Sequence, residues 1–422
     1  MSTSEALAET PRGLRAPGTT AMIAGSLVGA VAAYLFQVVG GRALGPTAFA
    51  PIGVLWTVLF LVVTVVLVPL EQFFTREASR GRQVFKEDRK AAAVVVGLAA
   101  LGAGLFVTIT REALFTGRWI YVVQAVVAVM LFGFMQMGKG LLAAHREFAL
   151  YGGVLAGEGL TRLGLAFVFL AAAATAPSLA WAMVLCPLVV LLFRPWRFDA
   201  HQQDVARTPP AWFLGPYVLG SAASQLLLAG APLGVAARGG SPALFSVVFV
   251  TFTLFRAPLT LIYSLQGRIL PLLVKMAHEA DHAGLTRMAR KVLTWGALLT
   301  LIGGLAGWLI GPQIVEILFG PGFRPSAVVA GLAAAGVMAG STAQVAGQVL
   351  VAEGSTVALA GAWIAGLLTG LVVMAGIPGE PDRAVAIGFV TGELVAAGVV
   401  AWRLLGAGRK AKAGVLSAEA GS

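Results

Sequence analysis

The sequence is poor in charged residues. Only 12% of its 422 residues are Asp, Glu, Lys or Arg, whereas soluble globular domains carry about 25%. This shortage excludes a large soluble domain, because the longest polar connections, 71–90, 194–210 and 266–291, are too short to fold alone. The hydrophobic fraction is 58% and the mean hydropathy is +0.87, so most of the chain is expected to lie in a membrane.

Cysteine and catalytic motifs are also scarce. Cys186 is the only cysteine, so an intrachain disulfide and a thiolate metal site are excluded. The four histidines lie in polar connections, and the sequence contains neither a Gly-rich phosphate loop nor a His-Glu-x-x-His metal motif. We therefore predict that the protein is not an enzyme and uses no metal or other cofactor.

Twelve apolar stretches fill the chain, each long enough to cross a bilayer. A hydrocarbon core of about 30 Å requires about 20 apolar residues in a helix. The stretches are 18–39, 48–70, 91–110, 119–138, 150–173, 177–193, 211–236, 243–265, 292–318, 326–350, 356–377 and 384–405. The sequence therefore predicts an all-α polytopic membrane protein with twelve transmembrane helices.

The basic residues sort onto alternate connections between these stretches. If the N-terminus is cytoplasmic, 22 of the 30 Lys and Arg residues fall in cytoplasmic connections and tails, and six fall in outer connections. This asymmetry follows the positive-inside rule and predicts cytoplasmic termini in a bacterial-type plasma membrane. It also accounts for the net charge of +11 without a nucleic-acid partner. Only Arg162 and Arg256 remain inside predicted helices.

A short pattern occurs twice, 196 residues apart. The segments from Arg42 to Phe49 and from Arg238 to Phe245 both read Arg-x-x-x-Pro-x-x-Phe, and each leads into a long apolar stretch. A displacement by six helices predicts two halves of the same orientation, although helix-start chemistry at proline is an alternative explanation. The predicted domains are an N-terminal six-helix lobe (1–193), a cytoplasmic linker (194–210), a C-terminal six-helix lobe (211–405) and a cytoplasmic tail (406–422).

Four ionisable residues lie deep in predicted helices, where each is a functional candidate because its insertion is costly. Glu158 and Arg162 are four residues apart in the order that favours an ion pair, which is either structural or part of a substrate site. Arg256 has no acidic residue within one helical turn, so its partner is another helix, water or an anionic substrate. Glu393 is either a coupling-proton site or a partner of Arg256.

Other polar residues in the apolar stretches are weaker candidates. Gln344 and Gln348, four residues apart, and Gln225 would line polar faces, but hydrogen bonds between helices explain them equally well. Three charged residues lie near the ends of stretches and are expected to reach the membrane interface: Glu71, Lys139 and Glu316.

Several motifs occur in a fixed order over residues 20–405. They are Arg42-Ala-Leu-Gly-Pro-Thr-Ala-Phe49, Leu70-Glu71-Gln72 with Thr75-Arg76, Glu158-x-x-x-Arg162, Phe255-Arg-Ala-Pro-Leu259 with Leu270-Pro271, Leu318-Phe-Gly-Pro-Gly-Phe323, and Ala352-Glu-Gly354. This series resembles the polysaccharide-transporter flippases of the multidrug/oligosaccharidyl-lipid/polysaccharide (MOP) superfamily.

The resemblance implies two parallel six-helix lobes around a central cavity and export of a lipid-linked oligosaccharide to the outer leaflet by alternating access. Arg256, Arg162 and Glu158 are the candidate substrate-binding residues, since a guanidinium group complements an anionic headgroup. The expected partners are the lipid-linked oligosaccharide, membrane lipids, and a glycan polymerase or glycosyltransferases.

Three other functions remain open at this stage. A major-facilitator exporter also has parallel six-helix halves, and the loop Ala78-Ser-Arg-Gly-Arg82 partly matches its loop motif but lacks the Asp. A cation-coupled multidrug exporter of the MATE type would favour acidic residues in the first helices, and the first three stretches contain none. A non-transporting scaffold of a glycan-synthesis complex would keep the fold and lose the charges in the cavity.

Overall fold

The computed structural model describes residues 18–199, 222–257, 273–279 and 281–419, and all regular secondary structure in these ranges is helical. The α-helices are α1 (Thr19–Val62), α2 (Val68–Ser79), α3 (Val84–Glu87), α4 (Arg89–Ile109), α5 (Arg111–Leu114), α6 (Ile120–Ala144), α7 (Phe148–Ala172), α8 (Ala176–Leu185), α9 (Val190–Phe193), α10 (222–230), α11 (Leu233–Ala237), α12 (Pro242–Phe255), α13 (273–278), α14 (His282–Phe319), α15 (Ala327–Ala352), α16 (Thr356–Gly376) and α17 (Pro381–Glu419). A π-helical stretch, Val63–Leu67, joins α1 to α2, and a 3₁₀ turn, Cys186–Val189, joins α8 to α9.

Helix α1 consists of two antiparallel arms that meet at Gly45. This residue has φ 72° and ψ 168°, a conformation that glycine adopts at little cost. The rings of Phe36 and Trp56 stack with their centroids 5.9 Å apart, whereas twenty residues of continuous helix would separate them by about 30 Å. The chain therefore reverses within a tighter turn than the sequence predicted between its first two apolar stretches.

The all-α membrane architecture is confirmed. Within the described ranges, nine helices are long and apolar enough to cross a membrane, and the first of them is the 61-residue run Thr19–Ser79. Because this run reverses at Gly45, it contains the first two predicted stretches. The predicted stretches 211–236 and 243–265 extend beyond the described ranges, so the count of twelve helices stays a prediction.

Exposed and buried positions differ as expected for a protein in lipid. Leu101 on α4 and Leu301 on α14 are 66% and 72% exposed, and such apolar surface needs a lipid covering.

Glycines lie where two helices approach each other closely. A Cβ atom added to Gly159 of α7 would lie 2.6 Å from a backbone carbonyl oxygen of Gly29 on α1. Small residues allow this close approach, which stabilises helix association in a membrane.

The turn between the arms of α1 packs against helices from the second half of the chain. The ring of Phe49 lies 6.3 Å from that of Phe249 on α12 and 6.2 Å from that of Phe323, between α14 and α15. Beside this cluster, Arg42 Nε donates a hydrogen bond to the carbonyl oxygen of Leu318 at 2.7 Å. These contacts join the two parts of the chain at the end of the molecule that is predicted to face outward.

The lobe boundaries at 193, 211 and 405 stay predictions, because most of the linker 194–210 lies outside the described ranges. Helix α17 ends at Glu419, so the predicted cytoplasmic tail, 406–422, begins inside a helix.

Candidate substrate site

Two arginines from distant parts of the chain each lie over an aromatic ring on α1. Trp56 and Phe60 are four residues apart on the second arm, so their side chains share a face and lie about 6 Å apart along the helix axis. The guanidinium carbon of Arg162, on α7, lies 4.8 Å from the ring centroid of Trp56. That of Arg256, directly after α12, lies 5.7 Å from the centroid of Phe60. Cation–π attraction favours both placements.

Arg162 also forms the ion pair that the sequence predicted. Its Nη2 atom contacts Oε1 of Glu158, one turn earlier on α7, and only 6% of the residue is exposed. The Sγ atom of Cys186 donates to the same carboxylate oxygen at 3.4 Å. The pair is confirmed, and its two charges cancel, so Arg162 and Glu158 together add little net charge to the site.

Arg256 is half-buried and lies where α10, α12 and α1 meet. Its Nη1 atom donates to the carbonyl oxygen of Leu228, and its Nη2 atom donates to Oγ1 of Thr253, each at 3.3 Å. The hydroxyl of Tyr34, on the first arm of α1, donates to the carbonyl oxygen of Thr253 at 3.1 Å. These contacts orient the Arg256 side chain between the two halves of the chain.

Glu393 does not pair with Arg256. It is fully buried near the middle of the membrane-spanning part of α17, and neither of its carboxyl oxygens has a hydrogen-bonding partner among the described residues. Its carboxyl group packs against Gly340 of α15. Of the two roles that the sequence left open for Glu393, the ion pair with Arg256 is wrong for this conformation.

Of the three glutamine candidates, Gln344 and Gln348 interact with each other within one helix. Gln348 Nε2 donates at 3.4 Å to the backbone carbonyl oxygen of Gln344, which is a bond within α15. Gln225, on α10, is half-buried, and its Oε1 atom has no hydrogen-bonding partner in the described part of the chain. Their assignment to a substrate cavity stays a prediction.

The expectation that Glu71 and Lys139 reach the membrane interface is wrong. Lys139 Nζ lies 2.9 Å from Oε2 of Glu71 and donates to Oε1 of Gln136 at 2.7 Å. The Tyr151 hydroxyl donates to Oε1 of Glu71, also at 2.7 Å. Packing of α2, α6 and α7 buries this group before the side chains reach solvent. Glu316, in contrast, pairs at 2.9 Å with the exposed side chain of Arg324.

A second charged cluster fixes the connection between α2 and α4, outside the membrane-spanning segments. Buried Arg82 forms ion pairs with Glu77, Glu87 and Asp88 at 2.9, 2.8 and 3.0 Å. Burial lowers the pKa of Arg82, but its hydrogen bonds to Glu77 and Glu87 and the charge of Asp88 raise it above the usual value. Arg82 belongs to the loop that partly matches the facilitator motif, and its contacts here are structural.

Sequence inspection missed Trp56 and the pair Glu71–Lys139. Trp56 had a recognisable signal, because it lies inside an apolar stretch rather than at an end, where membrane tryptophans concentrate. Glu71 and Lys139 had a weaker one, namely opposite charges near the same predicted side of the membrane.

Comparison with known proteins supports the fold and leaves the family open. No family model matches the chain. It is 26% identical over 423 residues to the uncharacterised protein Rv3630 of Mycobacterium tuberculosis, with 92% of each chain covered. It is 27% identical over 363 residues to the uncharacterised protein Rv1510 of the same organism, with 78% of each covered.

Solved structures of transporters align over nearly the whole chain. A MOP superfamily transporter from Pyrococcus furiosus has a TM-score of 0.64 at 14% identity, covering 92% of this chain and 95% of that one. An inward-facing structure of a multidrug resistance MATE family transporter has a TM-score of 0.61, and an outward-facing structure of such a transporter has a TM-score of 0.58. These alignments have 15% and 16% identity and cover 92% and 93% of this chain and 97% and 96% of the others. The chain has the fold of MOP superfamily transporters.

Proposed function

We propose that this protein is a flippase that moves a lipid-linked oligosaccharide from the inner to the outer leaflet of a bacterial plasma membrane. The observation that carries the proposal is the placement of Arg162 over Trp56 and of Arg256 over Phe60, one helical turn apart on α1. The substrate is amphipathic, with an anionic phosphate-containing headgroup and a lipid tail that stays in the bilayer. Glycosyltransferases or a glycan polymerase would supply or consume it.

The charges of the site favour an anionic headgroup. Glu158 neutralises Arg162, and Arg256 adds a second guanidinium group to the site. A guanidinium group presents donors in the planar arrangement that binds phosphate oxygens in pairs. Because Arg256 is half-buried while Arg162 is almost fully buried, Arg256 is the residue that contacts the headgroup. Arg162 contributes through its charge and its position on Trp56.

The location of the site suits alternating access. Arg256 hydrogen-bonds α10 and α12, whereas Phe60 belongs to α1, so a ligand at this point lies between the two predicted lobes. MATE relatives of this fold are described in inward-facing and outward-facing forms. A rocking motion between such forms would expose the same site to each side of the membrane in turn.

The test is depletion of the protein followed by complementation with variants. We expect a lipid-linked oligosaccharide to accumulate on the cytoplasmic leaflet during depletion and to clear when wild-type protein is restored. The variant Arg256→Gln should fail to clear it, because the amide keeps polarity but loses the charge. Arg383→Gln is the matched control, since the Arg383 side chain is 56% exposed. Clearance by Arg256→Gln at a normal protein level would contradict the assignment.

A cation-coupled multidrug exporter is the second candidate, because solved neighbours of the fold include a multidrug resistance MATE transporter. The same depletion separates the two functions. Changed drug susceptibility with normal glycans would support the exporter, whereas trapped oligosaccharide with unchanged susceptibility would support the flippase.

A further inference from the structure

The end of α14 that is predicted to face the cytoplasm has an exposed basic face. Arg287, Arg290 and Lys291 are all exposed, and none of them forms an ion pair with a described residue. Between Asp281, directly before the helix, and Glu316, near its other end, α14 contains no acidic residue. Within the helix, this positive charge is therefore not compensated.

Acidic residues in the neighbouring segments do not neutralise the basic face either. Asp281 caps α14, since its Oδ1 atom accepts from the backbone N–H of Gly284 at 2.8 Å. The carboxylate of Glu279 lies 3.7 Å from the ammonium group of Lys275, on α13. Glu353, at the end of α15, is exposed and forms no ion pair with a residue in the described ranges. The natural counter-charge for the basic face is therefore an anion that is not part of this chain.

The opposite face of the same helical turns holds α14 in place. Leu285 and Ala289 are buried in a cluster that includes Val349 of α15 and Leu404 of α17. Because these contacts fix the helix to the bundle, the exposed side chains between them are directed away from the protein.

The basic face continues into apolar residues along one side of α14. Arg287, Lys291, Trp295, Leu298 and Ile302 follow one another at intervals of three or four residues, so they form one stripe. Trp295 is 64% exposed and lies about 6 Å beyond Lys291 along the helix axis, and Ile302 lies about 10 Å further. A phospholipid presents its groups in the same order, because phosphate is followed by the interfacial layer, where tryptophan concentrates, and then by the acyl chains.

We propose that this stripe binds an anionic phospholipid, phosphatidylglycerol, in the leaflet that is predicted to face the cytoplasm. Arg287, Arg290 and Lys291 hold the headgroup phosphate through charge-assisted hydrogen bonds. Trp295 packs at the level of the glycerol, and an acyl chain lies along Leu298. The site is outside the proposed substrate site and does not depend on which molecule is transported.

The beginning of α4 shows what a basic end without this arrangement looks like. Arg89 and Lys90 are exposed at the same predicted side of the membrane, but Glu87 and Asp88 directly precede them. Helix α4 contains no tryptophan. A general attraction of basic residues to anionic lipid would involve α4 and α14 alike, whereas a specific site requires α14 alone.

The test is native mass spectrometry of the purified full-length protein in neutral detergent, with phosphatidylglycerol and phosphatidylcholine at equal concentrations. The wild type should retain phosphatidylglycerol preferentially. Lys291→Gln should weaken its binding about fivefold, the effect of removing one basic charge near an anionic lipid. Lys90→Gln is the matched control and should not change it. Trp295→Leu should also weaken binding, whereas Trp308→Leu, at an exposed position further along the same helix, should not.

The side chains of Lys291, Lys90, Trp295 and Trp308 are exposed, so the variants should melt at the wild-type temperature without lipid. Equal retention of the two lipids by the wild type would overturn the proposal. An equal loss in Lys90→Gln and Lys291→Gln would show only general charge attraction and would refute a specific site. If inorganic phosphate displaces phosphatidylglycerol at equal concentration, the stripe binds free anions and the assignment to a lipid is wrong.

Discussion

Replacing Arg42 with Ala should separate α1 from α14 at the predicted outer end without unfolding either helix. Arg42 donates to the carbonyl oxygens of Ile317 and Leu318, the latter at 2.7 Å. These carbonyls lie in the last turn of α14, where the helix leaves its final C=O groups without partners and where a positive charge is favourable. The contact joins parts of the chain that the sequence assigns to different lobes.

The expected size of the effect follows from the exposure of this contact. A hydrogen bond from a charged donor contributes about 1.5–3 kcal/mol when shielded, and a cation at a helix C-terminus about 0.3–1 kcal/mol. Arg42 is exposed, so we take about 1–2 kcal/mol for the whole contact. A change of this size alters an equilibrium ratio by a factor of about 5–30. The Phe49 cluster remains in the variant and limits the opening.

The measurement is the distance between spin labels on Ala113→Cys and Val328→Cys, which are exposed positions at the same end of the molecule. Native Cys186 is buried and stays unlabelled. We expect Arg42→Ala to raise the ratio of separated to closed molecules by about 5–30-fold.

Arg238 provides the matched control. It stands at the same position of the repeated pattern and donates to the carbonyl oxygens of Met374 and Ile377 at 2.7 Å each, at the end of α16. Arg238→Ala should lower the thermal stability but leave the label distances unchanged, because both sides of its contact belong to the predicted C-terminal lobe. An unchanged distribution in Arg42→Ala, or an equal shift in Arg238→Ala, would refute the reasoning.

Two further substitutions test the packing of the first half. Lys139→Met should lower the free energy of unfolding by about 3–5 kcal/mol, because it leaves the Glu71 carboxylate buried without its cation. Thermal unfolding in detergent should show that the double variant Glu71→Gln/Lys139→Met is more stable than Lys139→Met. The opposite order would contradict a buried pair. Gly159→Ala places a methyl 2.6 Å from a carbonyl oxygen of α1, whereas a Cβ at Gly164, on the same helix, has no neighbour within 4 Å. Gly159→Ala should therefore unfold at a lower temperature than Gly164→Ala, and equal melting temperatures would count against the close α1–α7 contact.

Features that depend on one helix were predictable from the sequence. The pair Glu158–Arg162 follows from a four-residue spacing, which places both side chains on one side of α7. The membrane class follows from the length and apolarity of the stretches, and it is confirmed by helices such as α4 and α15. In each case the information needed lies within about 25 residues of chain.

Features that depend on which helices are neighbours were not predictable. Lys139 and Glu71 are 68 residues apart, and nothing in either segment specifies that α2 packs beside α6. Without this contact, a charge near a helix end is expected to reach water. The same limit applies to Arg162 and Arg256. The sequence identified each as unexplained by topology, but only the packing of α7 and α12 against α1 brings them to adjacent aromatic rings.

The repeated Arg-x-x-x-Pro-x-x-Phe pattern gives both a local contact and a contact between distant helices. In both copies the arginine caps the carbonyl end of a helix, so the pattern specifies the same local chemistry twice. Arg238 caps α16, which lies later in its own predicted lobe, whereas Arg42 caps α14, which lies in the other one. If both caps were within a lobe, neither would respond to a motion between lobes; if both crossed, the motion would break two charged contacts at once. With one internal and one crossing cap, a motion between the predicted lobes breaks the exposed Arg42 contact and keeps the Arg238 contact. Opening the Arg42 contact costs about 1–2 kcal/mol, which a ligand that distinguishes the two states can supply.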